Sequence, residues 1–462
     1  MRAKDPTHPD ETTLLSLEAR FCSHGDTVHY VTPPKNFTAC QGGFLYDAAG
    51  TPYLDLQMQY SSANLGYRRS RLARILQNQV ENLPQLDPQY LHRDEVTLAE
   101  GLITLTEERF GVRGRVHFNV GGAGAIEDSL AFIRRVTGKN LHFAFMSGYH
   151  GRTLEASSIT SSYRYRHRYG HFGDRAQFIP YPYCYRCFYA RHPDSCETYC
   201  LSQFKKLFDC EAYSVWDADA QKCEYGAFYI EPLQGTGGYV IPPTHYFAGL
   251  KEILSEKGIL LVDDEIQMGF FRTGKLWAIE HFGIVPDVIV FGKALTNGLN
   301  PLSGIWVREN LIDPSAWPPD LSPVPLAGNP QGTAIAQEVL KIFGEQSFEE
   351  KVQEKGAYFL CHLRKLKRKY PGMIGEVDGL GLALRIEICG SDGQSPDPEM
   401  THRLFHEGLK GDLGTGQQRY GLVLDVGGYY KNVFTLAPSL DISYGEIDLS
   451  LKLLDQLFGR FG

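Results

Sequence analysis

Apolar residues recur along this chain in two rhythms. Between Arg68 and Arg109 they fall at helical spacing, as at Leu72, Ile75, Leu76 and Val80. Further on, short apolar runs at Leu141–Met146, Ala227–Ile230, Gly258–Val262 and Val288–Phe291 predict strands, and Ile126–Val136, Tyr246–Glu256 and Leu276–His281 predict helices. Such alternation implies an α/β fold, a mainly parallel sheet with helices on both faces. Gly42–Leu56 (GGFLYDAAGTPYLDL) predicts a hairpin around an Ala-Ala-Gly turn. The polar first forty or so residues read as an arm with one amphipathic piece, Leu14–Phe21. A Pro-rich stretch, Ser315–Pro325, interrupts the pattern before a long helix predicted at Gly332–Lys341 and a second αβ section. Repeats and low-complexity tracts are absent from the sequence.

Composition narrows the class. At about 100–200 residues per domain, the length allows two to four domains. The chain has 462 residues, of which 43% are hydrophobic, and a formal net charge of −8. An acidic chain without long basic runs offers no electrostatic footprint for nucleic acid or an anionic membrane, so neither is expected as a partner. No run approaches the ~20 apolar residues of a membrane helix. The first twenty residues lack the apolar run of a signal peptide. Ten cysteines are too sparse for a disulfide scaffold; reduced thiols and a cytoplasmic location are expected.

Candidate chemistry gathers where two apolar strands end. Ile259–Gly269 (ILLVDDEIQMG) runs into acids, and Val285–Gly298 (VPDVIVFGKALTNG) runs into Gly292-Lys293. Ligands of α/β sheets bind beyond the carboxyl ends of strands, so an acid and a lysine converge there. A lysine desolvated at that place has a lowered pKa, and its neutral amine can attack a carbonyl. A nearby carboxylate can hold a protonated pyridine nitrogen. On the residues alone a second reading stands beside this one: a solvated loop lysine, with Asp263 and Asp264 as a strand-end cap. Val120–Ala125 (VGGAGA), ahead of a helix, is either a phosphate cradle of backbone amides or simply a tight turn.

Several ordered motifs resolve the choice. YLDL at Tyr53–Leu56, YHGRT at Tyr149–Thr153 and IEPLQGTGG at Ile230–Gly238 are followed by DEIQMGFFRTGK at Asp264–Lys275. PDVIVFGKAL at Pro286–Leu295, GNP at Gly328–Pro330 and GLGL at Gly379–Leu382 complete the series. From Gly42 onward the chain resembles the class III pyridoxal-phosphate-dependent aminotransferases, the ornithine and 4-aminobutyrate aminotransferase group. The resemblance implies fold type I, with a mainly parallel seven-stranded sheet in a large domain (62–326). An arm and hairpin (1–61) would join a C-terminal small domain (327–462). It implies a homodimer with the active site at the subunit interface, an amine or amino-acid substrate, and pyridoxal 5'-phosphate as cofactor. Lys293 would be the Schiff-base lysine and proton shuttle, and Asp264 the pyridinium partner that lets a quinonoid carbanion form. Asp263 points the other way along the strand. Gln267 would lie near the phenolic oxygen, and Tyr149 would stack on the ring. His150 would bond locally in that turn, and Glu231 would help hold the Asp264 and Gln267 loop. Gly121, Gly122 and Ala123 would cradle the phosphate, and Gln59, Tyr60 and Ser61 would face the substrate.

Three departures stand out. Gly121-Gly122-Ala123 replaces the family's Ser/Thr-Gly-Ser/Thr, and Pro325 replaces a threonine that reaches the phosphate. Thr236 and Thr435 stand where many relatives pair a gating glutamate with the arginine that grips the substrate carboxylate. With both halves of the pair gone, the usual handling of glutamate and 2-oxoglutarate is not expected. Aminotransfer is the leading reaction. The alternative is a non-transaminating reaction on the same intermediate: β- or γ-elimination or replacement, carbon–carbon bond formation, or racemisation. Cys184, Cys187, Cys196 and Cys200 have a spacing that could hold zinc or an iron–sulfur cluster, but structural thiols are the expectation. With no ligand spacing such as H-E-x-x-H, no catalytic metal is expected. Tyr163–Tyr169 (YRYRHRY) is expected to be a site-entry or subunit-contact loop rather than a nucleic-acid strip.

Overall fold

Short apolar runs bounded by glycine and polar residues build the largest sheet of the computed structural model, which describes residues 10–23, 34–166, 175–315, 317–318, 324–415 and 417–462. Strands β1 (Phe37–Gln41), β2 (Phe44–Asp47) and β3 (Pro52–Asp55) form an antiparallel meander that includes the predicted hairpin. The helical rhythm after Arg68 resolves into α1 (Ser70–Asn82) and α2 (Arg93–Phe110), separated around Pro84, whose ring cannot continue a helix.

Strand β4 (Gly114–Asn119) then leads into α3 (Gly122–Thr137), β5 (Leu141–Phe145), β6 (Ala176–Ile179), β7 (Tyr225–Ile230), α4 (Tyr246–Glu256), β8 (Leu260–Asp264), β9 (Val288–Phe291) and β10 (Ser303–Arg308). The seven strands lie in the order β4-β10-β9-β8-β7-β5-β6. Only β10 runs antiparallel, pairing Trp306 with Ile289 on one side and Val116 on the other. Helix α3 stops at Gly138, whose φ of 69° is left-handed and open to glycine at little cost.

Both faces of the sheet are covered. On one, Ile126, Leu130 and Ile133 of α3 pack on Ala144, Val262, Val288 and Val290. On the other, Phe247, Leu250 and Leu254 of α4 join Phe143, Phe228, Leu261 and Ile289. Each such side chain taken out of water contributes about 1.5–3 kcal/mol. The predicted helix Leu276–His281 is instead a 3-10 turn, Ala278–Phe282. The Glu265 carboxylate takes the Ile279 N–H and the Gly283 bend follows at once, so no α-helical turn develops.

After α5 (Pro330–Glu345) and α6 (Phe348–Lys369), β11 (Ile374–Leu380) and β12 (Ala383–Ile388) form a hairpin. Then come α7 (Pro398–Gly408), β13 (Leu413–Thr415), β14 (Gln418–Val423), β15 (Asp425–Gly427), β16 (Val433–Leu436) and α8 (Tyr444–Phe458). Antiparallel pairs join β11-β12-β16-β15. Strand β14 pairs in parallel with β3, matching Gly421 with Tyr53 and Val423 with Asp55, so the chain's first meander is tied to its last section.

Candidate active site

Five strand ends of the large sheet point to one cavity of about 690 Å3, and Gly122, Tyr149, Glu231, Asp264, Gln267 and Lys293 are among its lining residues. Asp264 is the last residue of β8. Lys293 follows β9 by two positions and takes a left-handed φ of 37°, a conformation the surrounding packing must impose. Tyr149 and His150 leave β5, Glu231 leaves β7, and Gly121 caps α3 beyond β4.

Asp264 is positioned on both oxygens. Oδ2 lies 2.8 Å from His150 Nδ1, and Oδ1 accepts the Ile266 N–H at 3.1 Å. The His150 backbone N–H donates to Thr160 Oγ1 at 2.9 Å, fixing the turn that carries the ring. Burial opposes the charged imidazole, but the bond to Asp264 and the charges of Asp264 and Glu231 outweigh it and raise the His150 pKa. Burial also dominates at Lys293, whose amine is lowered to about 8 despite the opposing fields of Asp264, Glu231 and Asp425. Its Nζ lies 6.0 Å from the centre of the Tyr60 ring. An amine about one-tenth neutral at pH 7 and an oriented acid therefore share one space.

Glu231 is fully desolvated, and its carboxyl is pushed up to about 7. It accepts the Tyr149 N–H at Oε1 and the Gly235 N–H at Oε2, both at 2.8 Å. This differs from the expectation that it holds the Asp264 and Gln267 loop. Strand β7 neighbours β5, so its end meets the Tyr149 turn first. Gln267 instead donates to the Tyr239 hydroxyl at 2.9 Å. The Tyr149 ring packs edge-on against Tyr165, with centroids 5.1 Å apart. Asp263 lies on the other face of β8, buried beside Glu265; desolvation pushes both carboxyls up, Glu265 to about 8, and Glu265 raises Asp263 further.

At the head of α3, Gly121 has extended backbone, and the first-turn amides of Gly122, Ala123 and Gly124 have no intrahelical acceptor. Gly122 and Ala123 line the cavity. At Gly151, φ is 127° and an added Cβ would lie 2.8 Å from that of Ala123, so the Tyr149–Gly151 turn sits directly on the helix head. Free amides at a positive helix end, a desolvated lysine and an oriented carboxylate match the phosphate, aldehyde and pyridine nitrogen of pyridoxal phosphate.

The remaining candidates are not among the residues that line the cavity. Gln59, Tyr60 and Ser61 share a left-handed turn with Met58, with Tyr60 exposed and Ser61 buried. Thr236 Oγ1 donates to the Ser147 carbonyl at 3.2 Å, and Thr435 Oγ1 donates to Asp425 Oδ2 at 2.6 Å. The two threonines flank Gly427, where an added Cβ would lie 3.4 Å from Thr435 Cγ2 and 3.5 Å from the Thr236 carbonyl oxygen. Pro325 is exposed on the segment leading to α5. The four clustered cysteines are free and partly buried, and burial pushes Cys200 up to about 11. Among the described residues no three His, Cys, Asp or Glu side chains are grouped to hold a metal ion. Of Tyr163–Tyr169, residues 167–169 lie outside the described residues; Arg166 covers the Phe178 ring at 4.8 Å.

Sequence reasoning missed Asp425, Gln57 and Tyr239. An acid inside the apolar run Gly421–Val426 was the available signal for the first.

A profile of class-III aminotransferases matches residues 27–457. A leucine/methionine racemase of Thermococcus litoralis is 31% identical over 414 residues, covering 89% of this chain and 88% of that protein. A probable 4-aminobutyrate aminotransferase of Bacillus subtilis is 29% identical over 421 residues, covering 90% and 91%. The crystal structure of a Bacillus anthracis aminotransferase superimposes with a TM-score of 0.85 at 23% identity, covering 98% of this chain and all of that one. The fold is that of pyridoxal-phosphate transferases, and no helix among the described residues is long and apolar enough to cross a membrane. The chain therefore belongs to the class III aminotransferase family and is a pyridoxal-phosphate-dependent enzyme.

Proposed function

We propose that the protein is an aminotransferase that takes the amino group from a small amine, with Lys293 as its covalent and proton-transferring residue. The observation that carries this reading is Lys293 itself, at the cavity wall, partly buried and within the fields of Asp264, Glu231 and Asp425, with desolvation lowering its amine to about 8. Pyridoxal phosphate, when bound, supplies an electron sink for the carbanion left when a proton leaves the substrate carbon. The chain's own residues do the rest. Asp264, held by His150 and the Ile266 amide, keeps a protonated pyridine nitrogen charged. The amides of Gly122 and Ala123 and the dipole of α3 hold the phosphate. Tyr149, whose backbone is anchored on Glu231, would lie against the cofactor ring, and Gln267, which donates to the Tyr239 hydroxyl, would be held near the phenolic oxygen. The Lys293 amine accepts the proton from the substrate carbon and returns it one position along.

Backbone amides carry most of the phosphate, since Ala123 and Pro325 offer no hydroxyl. We assign the active species as a homodimer, on family resemblance. The test is direct: purified protein with added cofactor is expected to be yellow, to bleach with borohydride, and to carry the reduced adduct on Lys293 by peptide mass spectrometry. An adduct elsewhere, or a colour retained in Lys293→Ala, would refute the assignment.

Racemisation is the second reading, supported by the identity to proteins named as racemases. It needs the same proton removed and returned to the same carbon. Incubation with single enantiomers in deuterated water separates the two, since a racemase yields deuterated amine of both hands and no keto product.

A further inference from the structure

Asp55, in the YLDL motif, has no part in the reaction proposed above. It is the last residue of β3 and only 2% exposed. Its Oδ1 accepts two backbone N–H groups, those of Gln57 and Met58, each at 2.8 Å. Its Oδ2 accepts the Tyr67 hydroxyl at 2.6 Å. The carboxylate thus ties the entrance of one turn to the chain that follows it.

That turn is strained. Met58, Gln59, Tyr60 and Ser61 are all left-handed, with φ of 46°, 52°, 55° and 65°. None is glycine, and each Cβ crowds the next carbonyl oxygen, so such a run persists only where its surroundings impose it. Met58 and Ser61 are buried, and the Ser61 N–H closes the turn on the Gln57 carbonyl at 3.1 Å. The two residues between them face the Lys293 loop. Gln59 Oε1 lies 3.0 Å from where a Cβ on Gly298 would stand, and Lys293 Nζ lies 6.0 Å from the centre of the Tyr60 ring. A little further on, the Asn297 side chain accepts the Leu65 N–H at 2.8 Å and donates to the Gly66 carbonyl at 3.0 Å. The two segments are locked together, and Asp55 fixes the first of them at its entrance.

We propose that Asp55 is a positioning residue for Lys293: by holding the left-handed turn, it keeps the Tyr60 ring over the amine and water away from it. The inference rests on Lys293 being the covalent residue. At 6.0 Å the ring is at the outer limit of a cation–π contact, so its larger effect on the amine is to exclude water. Losing that cover favours the charged amine. The acids whose charges act on Lys293 are Asp264 on β8, Glu231 beyond β7 and Asp425 on β15, and all three are unchanged by a substitution at Asp55.

The test follows cofactor loading of Lys293 against pH, by absorbance, in the full-length protein. The unmutated inflection is expected near 8. Asp55→Ala and Tyr60→Ala are each expected to move it upward, toward the 10.5 of a solvated lysine. The double variant should move it no further than one of them alone, because both remove the same cover. Asp55→Asn keeps an acceptor for the Gln57 and Met58 N–H groups, and its NH2 can donate to the Tyr67 hydroxyl, so its inflection is expected to stay near 8. Independently of any variant, hydrogen exchange on the unmutated protein without cofactor should find the Gln57 and Met58 amides protected. An inflection unmoved by Asp55→Ala or by Tyr60→Ala would overturn the inference. So would one moved as far by Asp55→Asn, shifts that add in the double variant, or amides that exchange like an open loop. The borohydride adduct tells the failures apart. With the adduct on Lys293, only the inference falls; with the adduct elsewhere, the catalytic assignment falls as well.

Discussion

Replacing Glu231 by glutamine should change how stability depends on pH, by an amount the structure sets. Burial raises this carboxyl from 4.5 to about 7. Between those values the unfolded glutamate is ionised while the folded one keeps its proton, so the folded state binds more protons and loses stability as pH rises. At 1.36 kcal/mol per pKa unit, the loss across that window is about 3 kcal/mol. Glutamine cannot ionise, so the variant lacks this slope. It also cannot accept at both ends: its NH2 would face either the Tyr149 or the Gly235 N–H, leaving one amide unsatisfied at a cost of about 1–3 kcal/mol. Glu231→Gln should therefore be clearly weaker than the unmutated protein near pH 4.5, and equal to it or stronger near pH 8. The assay is denaturant unfolding of both cofactor-free proteins across that range. Titrations that do not involve Glu231, such as that of Glu265, cancel in the difference. A difference between the two that does not move with pH would refute the desolvation argument.

Other consequences are simpler to state. Cofactor loading of Lys293, followed by absorbance, should accelerate with pH through an inflection near 8, where the buried amine loses its proton; an inflection near 10.5 would mean a solvated lysine. His150→Phe removes the partner of a buried carboxylate and should cost about 1.5–3 kcal/mol in chemical denaturation at neutral pH. It should also weaken cofactor affinity. Gly151→Ala forces a side chain into φ 127° and against Ala123, and should cost about 1–3 kcal/mol, read from the melting temperature.

Parallel strand ends made Asp264 and Lys293 legible in the sequence, because an acid and a lysine that close apolar runs must emerge on one edge of the sheet. Period-two alternation likewise separated Asp263 from Asp264. Partners across the sheet were not legible. The bond from His150 to Asp264 depends on where the β5 exit lies over β8, which no local pattern encodes. Strand β10 has an apolar run, but nothing in Ser303–Arg308 states that it enters the sheet reversed. Asp425 stayed hidden for the same reason: its partner Gln57 is 368 positions away.

That separation has a cost during synthesis. Strand β3, with Asp55 and the Gln57–Ser61 turn behind it, leaves the ribosome long before β14, its parallel partner. At about 5–20 residues per second, the wait is about 20 to 70 seconds. Throughout it, one edge of the early meander is an open row of hydrogen-bonding groups, available to any passing strand. Growing chains, rather than finished molecules, are where this protein is most exposed to aggregation. Slower elongation would lengthen that exposure, and a chaperone that shields the first sixty residues would relieve it.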